Sequence, residues 1–125
     1  MGYTHYWRKK PLLDPAAFEA FTKDVEKIVR NCGVDLHAEF DEESPPEIKK
    51  DHVRFNGIDE AGHETFYFDR DADRVTPDDG LAFAFCKTAQ KPYDISVTAC
   101  LIAAKKHFGD DINVSSDGDE NYWAD

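Results

Sequence analysis

Residues 81–109 read LAFAFCKTAQKPYDISVTACLIAAKKHFG, a strand, a turn and a helix around which the rest of the chain is interpreted. The first six residues are apolar at both alternating sets of positions, which is typical of a strand covered on both faces. We therefore predict that residues 81–86 form the central strand of a sheet. After a polar turn, residues 95–108 are apolar almost all round and stop at Gly109, which predicts a buried helix.

A second helix is predicted upstream of this stretch. Asp14 and Pro15 are typical of a helix start, because an Asp side chain caps free backbone N–H groups and Pro is preset for the first helical position. Apolar residues then recur at helical spacing from Phe18 to Cys32, and Gly33 ends the pattern. This helix is expected to cover a sheet with its apolar face.

Alternating apolar residues predict the remaining strands, at residues 3–7, 34–40, 52–56, 65–68 and 112–114. Asn56-Gly57 is a turn signal, so residues 52–56 and 65–68 are expected to form a hairpin in which Asn56 faces outward. This order of elements predicts one globular domain of 125 residues. Its class is α+β, with a single mainly antiparallel sheet and two packed helices.

The composition narrows the range of partners and compartments. A formal net charge of −11 argues against direct binding to nucleic acid or to an anionic membrane, since both would be repelled. The three cysteines have no short paired spacing, so neither a disulfide framework nor a zinc site is predicted. No stretch has the pattern of a signal peptide or a membrane span. The protein is therefore expected to be soluble and cytoplasmic, with no cofactor and no metal.

The polar turn after the predicted central strand is the first candidate for a ligand site, because ligands commonly bind where a strand leads into a helix. Lys87 and Thr88 would lie near the helix start, where backbone N–H groups favour anions, and nearby aromatic rings could stack on a base. The predicted ligand-binding residues are Tyr3, His5, Trp7, Arg54, Lys87, Thr88, Tyr93, Asp94, Ser116 and Asp117.

These residues also have structural interpretations, which the sequence leaves open. Lys87 could simply pair with Asp94 or Asp117, and Asp94 could serve only to cap the helix. An aromatic residue such as Trp7 is more often part of the core than a platform for a ligand. A lone histidine such as His5 is more often structural than catalytic.

Several short motifs are spread over most of the chain. They are Met-Gly-Tyr-Thr-His-Tyr-Trp at residues 1–7, Arg-Phe-Asn-Gly at 54–57, Cys-Lys-Thr at 86–88, Pro-Tyr-Asp at 92–94, Val-Thr-Ala at 97–99, Ser-Ser-Asp-Gly at 115–118 and Trp123. Together they resemble a family of small hypothetical proteins from phages, prophages and bacterial genomes. The resemblance implies a setting in which short proteins bind host factors or defence signals, and it adds no catalytic residue.

Three functions follow as hypotheses. The first is a non-enzymatic binding protein of phage or mobile-element type, with an anti-defence role, that binds a nucleotide or another small phosphorylated ligand. The second is an acidic, anti-CRISPR-like inhibitor that covers the basic nucleic-acid-binding site of a host defence protein, led by residues 41–43 and 117–120.

The third hypothesis is a small hydrolase that uses His5 as its base. Catalytic groups are assembled in space, so His5, Asp94, Asp117 and Lys87 could meet although they are far apart in the sequence. The sequence contains no glycine-rich phosphate loop, nucleophile elbow or His-Glu-x-x-His motif. Catalysis and the oligomeric state are therefore both left open.

Overall fold

The structure is a computed structural model that describes residues 3–38, 44–57, 62–72 and 74–116. Its elements in chain order are β1 Thr4–Lys9, α1 Pro15–Asn31, β2 Leu36–His37, β3 Glu47–Ile48, β4 His52–Gly57, β5 Phe66–Asp69, β6 Ala82–Lys87, α2 Asp94–Phe108 and β7 Ile112–Ser116. A short 3-10 turn, Gly109–Asp111, joins α2 to β7. The predicted α+β class is confirmed.

The strands form two antiparallel sheets, so the prediction of a single sheet was wrong. Sheet 1 has the strand order β6-β1-β7, and Trp7 at its centre lies opposite Ala84 on one side and Val114 on the other. Sheet 2 is organised around β4, which pairs with β2, β3 and β5. The predicted hairpin is the antiparallel β4–β5 pair.

The central strand of sheet 1 is β1, and the prediction that residues 81–86 occupy that position was wrong. Among the described strands β6 pairs with β1 alone, so it is an edge strand. Ala82 and Cys86 are buried, whereas Phe83 and Phe85 are 42% and 53% exposed. The ring of Phe83 packs instead against its outer-face neighbours, with the Arg8 guanidinium 5.0 Å from its centroid. An apolar alternation cannot by itself distinguish a second buried face from an aromatic surface cluster.

Both predicted helices are present, with the expected start and stop residues. The Asp14 carboxylate accepts a hydrogen bond from the Ala17 N–H at 2.9 Å, and Pro15 opens α1. Gly33 beyond its end has a φ of +76°, a conformation that favours glycine. In α2 the last turn is basic, and Lys105 Nζ donates to the Gly109 carbonyl at 2.9 Å.

The core joins the two sheets and both helices through aromatic contacts. Trp7 is 1% exposed and packs on Phe66 and Phe68, with ring centroids 5.4 and 5.8 Å apart. Phe68 in turn stacks on Phe108 of α2 at 6.0 Å and on Phe18 of α1 at 6.2 Å. Fully burying each such ring stabilises the fold by roughly 1.5–3 kcal/mol. This core fixes the end of sheet 1 where the polar residues of β1, β6 and β7 meet.

Asn56 is buried, so the prediction that it faces outward was wrong. Its Nδ2 donates to the His63 carbonyl at 2.9 Å and to Thr65 Oγ1 at 3.2 Å, and its Oδ1 accepts from the His63 N–H at 3.1 Å. Asn56 and Gly57 belong to β4 rather than to a turn. The Asn56 side chain therefore connects β4 to the chain that leads into β5.

Some sequence-based predictions fall outside the described residues. Of the strand predicted at residues 34–40, Leu36–His37 is a strand and residues 39–40 are not described. The acidic segments at residues 41–43 and 117–120, including Asp117, lie outside the described residues as well. The acidic-inhibitor hypothesis depends on those segments and stays a prediction.

Candidate functional site

A buried polar network lies at the end of sheet 1 where α2 begins. His5 is on the central strand β1, Ser116 is the last residue of β7, and Asp94 is the first residue of α2. Thr88 follows β6 directly. Three distant parts of the chain, at residues 5, 88–94 and 116, therefore contribute polar side chains to one place.

His5 links Ser116 to Asp94 through its two ring nitrogens. Its Nε2 lies 2.6 Å from Asp94 Oδ1, and its Nδ1 lies 2.6 Å from Ser116 Oγ. Because Nε2 faces the Asp94 carboxylate, which can only accept, we assign the ring hydrogen to Nε2. In the neutral His5 ring Nδ1 is then the acceptor. The Ser116 hydroxyl then donates to His5, and His5 donates to Asp94.

The Asp94 carboxylate is held by further hydroxyl groups. Thr88 Oγ1 donates to Asp94 Oδ1 at 2.5 Å, and Thr98 Oγ1 lies 3.5 Å from Asp94 Oδ2. Asp94 is in the first turn of α2, where the helix dipole favours a negative charge. Its side chain thus holds His5 as well as lying at the helix start, which goes beyond capping.

The strand register and a strained turn bring these residues together. Tyr3, just before β1, and His5 and Trp7 within it alternate inward, and the β1–β7 register sets His5 directly opposite Ser116. After β6, the N–H groups of Thr88 and Ala89 both donate to the Tyr3 carbonyl, at 2.9 and 3.1 Å. Ala89 and the next residue, Gln90, have φ values of +51° and +54°. Such conformations cost non-glycine residues about 1–3 kcal/mol each and persist only where the surrounding structure holds them.

Two of the predicted site residues belong to the core. Trp7 is covered by aromatic rings, so its faces are not open for stacking. Tyr93 is fully buried, its hydroxyl donates to the Glu64 carbonyl at 2.5 Å, and burial raises the pKa of that hydroxyl. Burial likewise raises the pKa of the neighbouring Cys86 thiol to about 12. Neither group is a nucleophile at neutral pH.

Two further predicted residues lie apart from the network. Lys87 alternates with Cys86, so it projects from the outer face of sheet 1 while His5 lies on the inner face. Arg54 is on sheet 2, where its Nη2 donates to Glu47 Oε2 at 2.8 Å. Of the ten predicted residues, the network itself joins five, which are Tyr3, His5, Thr88, Asp94 and Ser116.

Sequence reasoning missed Glu64 and Thr98. Glu64 closes the end of β6, since its Oε1 accepts from the Lys87 N–H at 2.7 Å and its own N–H donates to the Lys87 carbonyl at 3.2 Å. No local sequence pattern indicates this contact between Glu64 and Lys87. Thr98 could have been found, because it lies four residues after Asp94 in a predicted helix and so on the same face.

A groove about 520 Å³ in volume is lined by residues of α2 and β7. Its lining residues are Leu101, Ile102, Lys105, Lys106, Asn113 and Val114. Val114 and Ser116 share a face of β7, because side chains alternate along a strand. The partly exposed Ser116 therefore lies two residues beyond the groove, on the same face of β7.

Comparisons with known proteins found no relative of this chain. No family model matches the chain, and neither a curated protein nor a solved structure matches it. Within the described ranges, no helix is long and apolar enough to cross a membrane. The same ranges contain no group of three or more His, Cys, Asp or Glu side chains placed to hold a metal ion.

The order hydroxyl, imidazole, carboxylate is the one found in hydrogen-bond chains that activate a nucleophile. In serine hydrolases the imidazole takes the hydroxyl proton and the carboxylate holds the ring in the required tautomer. The ring is used here in the reverse of the usual sense, since Nδ1 faces Ser116 and Nε2 faces Asp94. The proton transfers are the same in either orientation, because the two nitrogens of imidazole exchange roles with the tautomer.

Proposed function

We propose that the protein is a small hydrolase in which Ser116 is the nucleophile, His5 is the base and Asp94 orients His5. The observation that carries the proposal is the Ser116–His5–Asp94 chain, with both of its links at 2.6 Å. Ser116 is 111 positions from His5 in the sequence, and Asp94 is 89 positions from it, so no local turn forces these residues together. This extends the hypothesis that His5 serves as a base.

The reaction would be transfer of an acyl group to Ser116 and then to water. Ser116 Oγ attacks the carbonyl carbon of an ester while its proton moves to His5 Nδ1. The imidazolium that forms is stabilised by Asp94 through the Nε2–H bond, and Nδ1 then gives its proton to the departing alcohol oxygen. Water attacks the acyl group with His5 again as base, which releases the acid and restores Ser116. General-base catalysis of this kind typically contributes 10²–10⁴-fold to the rate.

The burial of His5 sets the order of the steps. His5 has no exposed surface, whereas Ser116 is partly exposed. Water therefore reaches Nδ1 only through the space beside Ser116 that the leaving group vacates. We expect hydrolysis of the acyl-enzyme to be slower than its formation, with a burst of product in the first turnover.

A fluorophosphonate probe tests the proposal, since it reacts with activated serines. Intact-mass and peptide spectra are expected to show one adduct, at Ser116, and Ser116→Ala should abolish it. Ser115→Ala is the matched control, because Ser115 is the neighbouring serine on the opposite, exposed face of β7. Circular dichroism and thermal melting should show that each variant is folded. The proposal is contradicted if the folded protein forms no adduct, or if Ser116→Ala is labelled as fast as the natural chain.

A second candidate is the binding of a small phosphorylated ligand, in keeping with the phage or mobile-element setting. One observation favours it: neither Lys87 nor Lys91 has an acidic partner within salt-bridge distance in the described part of the chain. In a protein of net charge −11 such cations are suited to an anion.

Titration calorimetry with a panel of nucleotides tests this candidate. Lys87→Ala and Lys91→Ala should each weaken binding, while Lys49→Ala, an exposed lysine between β3 and β4, should not. Equal affinities for all three variants, or no binding to the natural chain, would contradict the binding of a phosphorylated ligand. A direct host-protein partner would instead appear as a second polypeptide in native mass spectra.

A further inference from the structure

We propose that the groove between α2 and β7 binds the acyl part of the substrate, and that the substrate is an amphipathic ester whose acyl chain ends in an anionic group. This inference rests on the proposed hydrolase function. Its starting point is the size of the groove, about 520 Å³, which is within the range of small-molecule sites.

The groove ends two residues before the nucleophile, on the same face of β7. Val114 in its wall is two residues before Ser116 on the same face of β7, a separation of roughly 6.6 Å along a strand. On the opposite wall, Ile102 lies two helical turns after Ile95, which is next to Asp94. Ile95 and Ile102 are 59% and 48% exposed, so an exposed apolar stripe runs along α2 from its first turn to the groove. An acyl chain bound to Ser116 Oγ could follow this stripe.

The residues that line the groove indicate the chemistry of the acyl chain. Leu101, Ile102 and Val114 form an apolar floor that a hydrocarbon would cover. Each methylene that leaves water there can raise kcat/KM up to about fourfold. A short acyl group would leave most of the groove empty, so longer chains are the preferred substrates.

The far end of the groove carries a positive charge. Lys106 is 73% exposed at its side chain, and its Nζ lies 3.9 Å from Asp24 Oδ2. Asp24 is bonded more closely to His107 Nε2, at 2.7 Å, so the Lys106 ammonium is left largely to solvent. Lys105, by contrast, is held by two carbonyls, those of Gly109 and Ile112, at 2.9 and 3.0 Å. Lys106 therefore supplies the cation for an anionic chain end, roughly 18 Å along α2 from Asp94.

The kinetic test uses p-nitrophenyl esters of acetate, octanoate and laurate, and an ester of a dicarboxylic acid of laurate length. We expect kcat/KM to rise at least tenfold from acetate to laurate, and to rise again for the dicarboxylic ester. Ile102→Asn should remove the preference for long chains. Val75→Asn is the matched control, since Val75 and Ile102 are both 48% exposed. Lys106→Glu should reverse the preference for the anionic ester, while Lys49→Glu should leave it unchanged.

A binding measurement separates this inference from the proposed function. In Ser116→Ala, which cannot turn over, added laurate should shift the NMR methyl signals of Ile102 and Val114 and leave those of Val75 in place. If esters are cleaved at Ser116 but neither chain length nor Lys106→Glu matters, and laurate shifts no groove signal, the groove inference is overturned and the hydrolase proposal stands. If laurate binds in the groove but Ser116 never reacts, the hydrolase proposal is overturned, and with it the assignment of the groove to a substrate.

Discussion

His5 Nε2 and Asp94 Oδ1 lie 2.6 Å apart in a buried position, although 89 residues separate them in the sequence. Burying a carboxylate is unfavourable unless it is hydrogen-bonded, and Asp94 satisfies this condition through His5 and Thr88. The pair therefore fastens the middle of sheet 1 to the start of α2. The same pair holds the ring of His5 with Nδ1 toward Ser116.

Asp94→Asn is expected to lower the free energy of unfolding by about 1–3 kcal/mol, because the buried hydrogen bonds lose their charged acceptor while the size of the side chain is kept. Urea unfolding followed by circular dichroism measures the change. The same substitution should slow fluorophosphonate labelling of Ser116, since the amide no longer specifies one ring tautomer. Asp110→Asn, an exposed residue of the 3-10 turn, is the control and should change neither quantity. If Asp94→Asn had the stability and the labelling rate of the natural chain, the His5–Asp94 pair would neither stabilise the fold nor orient His5.

Gly62→Ala is expected to destabilise the β4–β5 hairpin by about 1–3 kcal/mol through overpacking. A Cβ at this position would clash with the Gly57 carbonyl oxygen and with Asn56 Oδ1. Thermal melting and urea unfolding measure the effect. Gly33→Asn gives the comparison, because Gly33 has open space around it and Asn tolerates its positive φ. Equal stabilities for Gly62→Ala and the natural chain would mean that the hairpin connection moves aside at no cost.

The local parts of this fold could be predicted because their causes are local. Asp14, Pro15 and Gly33 mark the bounds of α1 through capping and backbone preference, and each occupies the expected position. The alternation of residues 3–7 likewise predicts a strand, and Thr4–Lys9 form β1. These signals depend on neighbours a few residues away.

The partnerships across the fold could not be predicted, since they depend on register and on competition among strands. Nothing near Ser116 indicates that it lies opposite His5, which follows only from the β1–β7 pairing. The apolar pattern of β6 suggested a central strand, yet β1 took that position and left Phe83 and Phe85 at the surface. Lys87 was separated from the network for a related reason, because one step along a strand changes the face.

The cysteines are expected to differ sharply in reactivity. Cys86 and Cys100 are fully buried, and burial raises the pKa of the Cys86 thiol to about 12 and that of Cys100 as well. Thiols that remain protonated and enclosed do not react, so iodoacetamide at about pH 8 should modify Cys32, which is partly exposed, and spare the other two. Peptide mass spectrometry locates the label. In urea all three should react at similar rates, and labelling of Cys100 without urea would mean that α2 opens from the core.

His52 should make the stability of the protein depend on pH near neutrality. Its Nδ1 and Nε2 lie 2.9 Å from Asp51 Oδ1 and Glu47 Oε1, so both nitrogens face carboxylates. Burial by itself lowers the pKa of His52, but the hydrogen bonds to Glu47 and Asp51 outweigh it and the net pKa is raised. A histidine whose pKa is raised by folding stabilises the protein fully below its unfolded value, about 6.5, and loses that contribution as the pH rises through the folded value. Hydrogen bonds from His52 likewise lower the pKa values of Glu47 and Asp51. These two carboxylates therefore stabilise the folded protein above their unfolded-state pKa values, and this stabilisation is lost as the pH falls through their folded-state values.

His52→Gln isolates this contribution, because glutamine keeps a hydrogen-bond donor but has no charge to gain. The difference in unfolding free energy between the natural chain and His52→Gln should be larger at about pH 5.5 than at about pH 8.5, since His52 is charged only at the lower value. Urea unfolding at both values, at constant low ionic strength, measures it. High salt should shrink the difference, because the site is partly open to solvent. His63→Gln, at an exposed histidine, is the control and should show no such trend. A difference for His52→Gln that is the same at both pH values, or larger at the higher one, would mean that the two carboxylates do not hold His52 in its charged form.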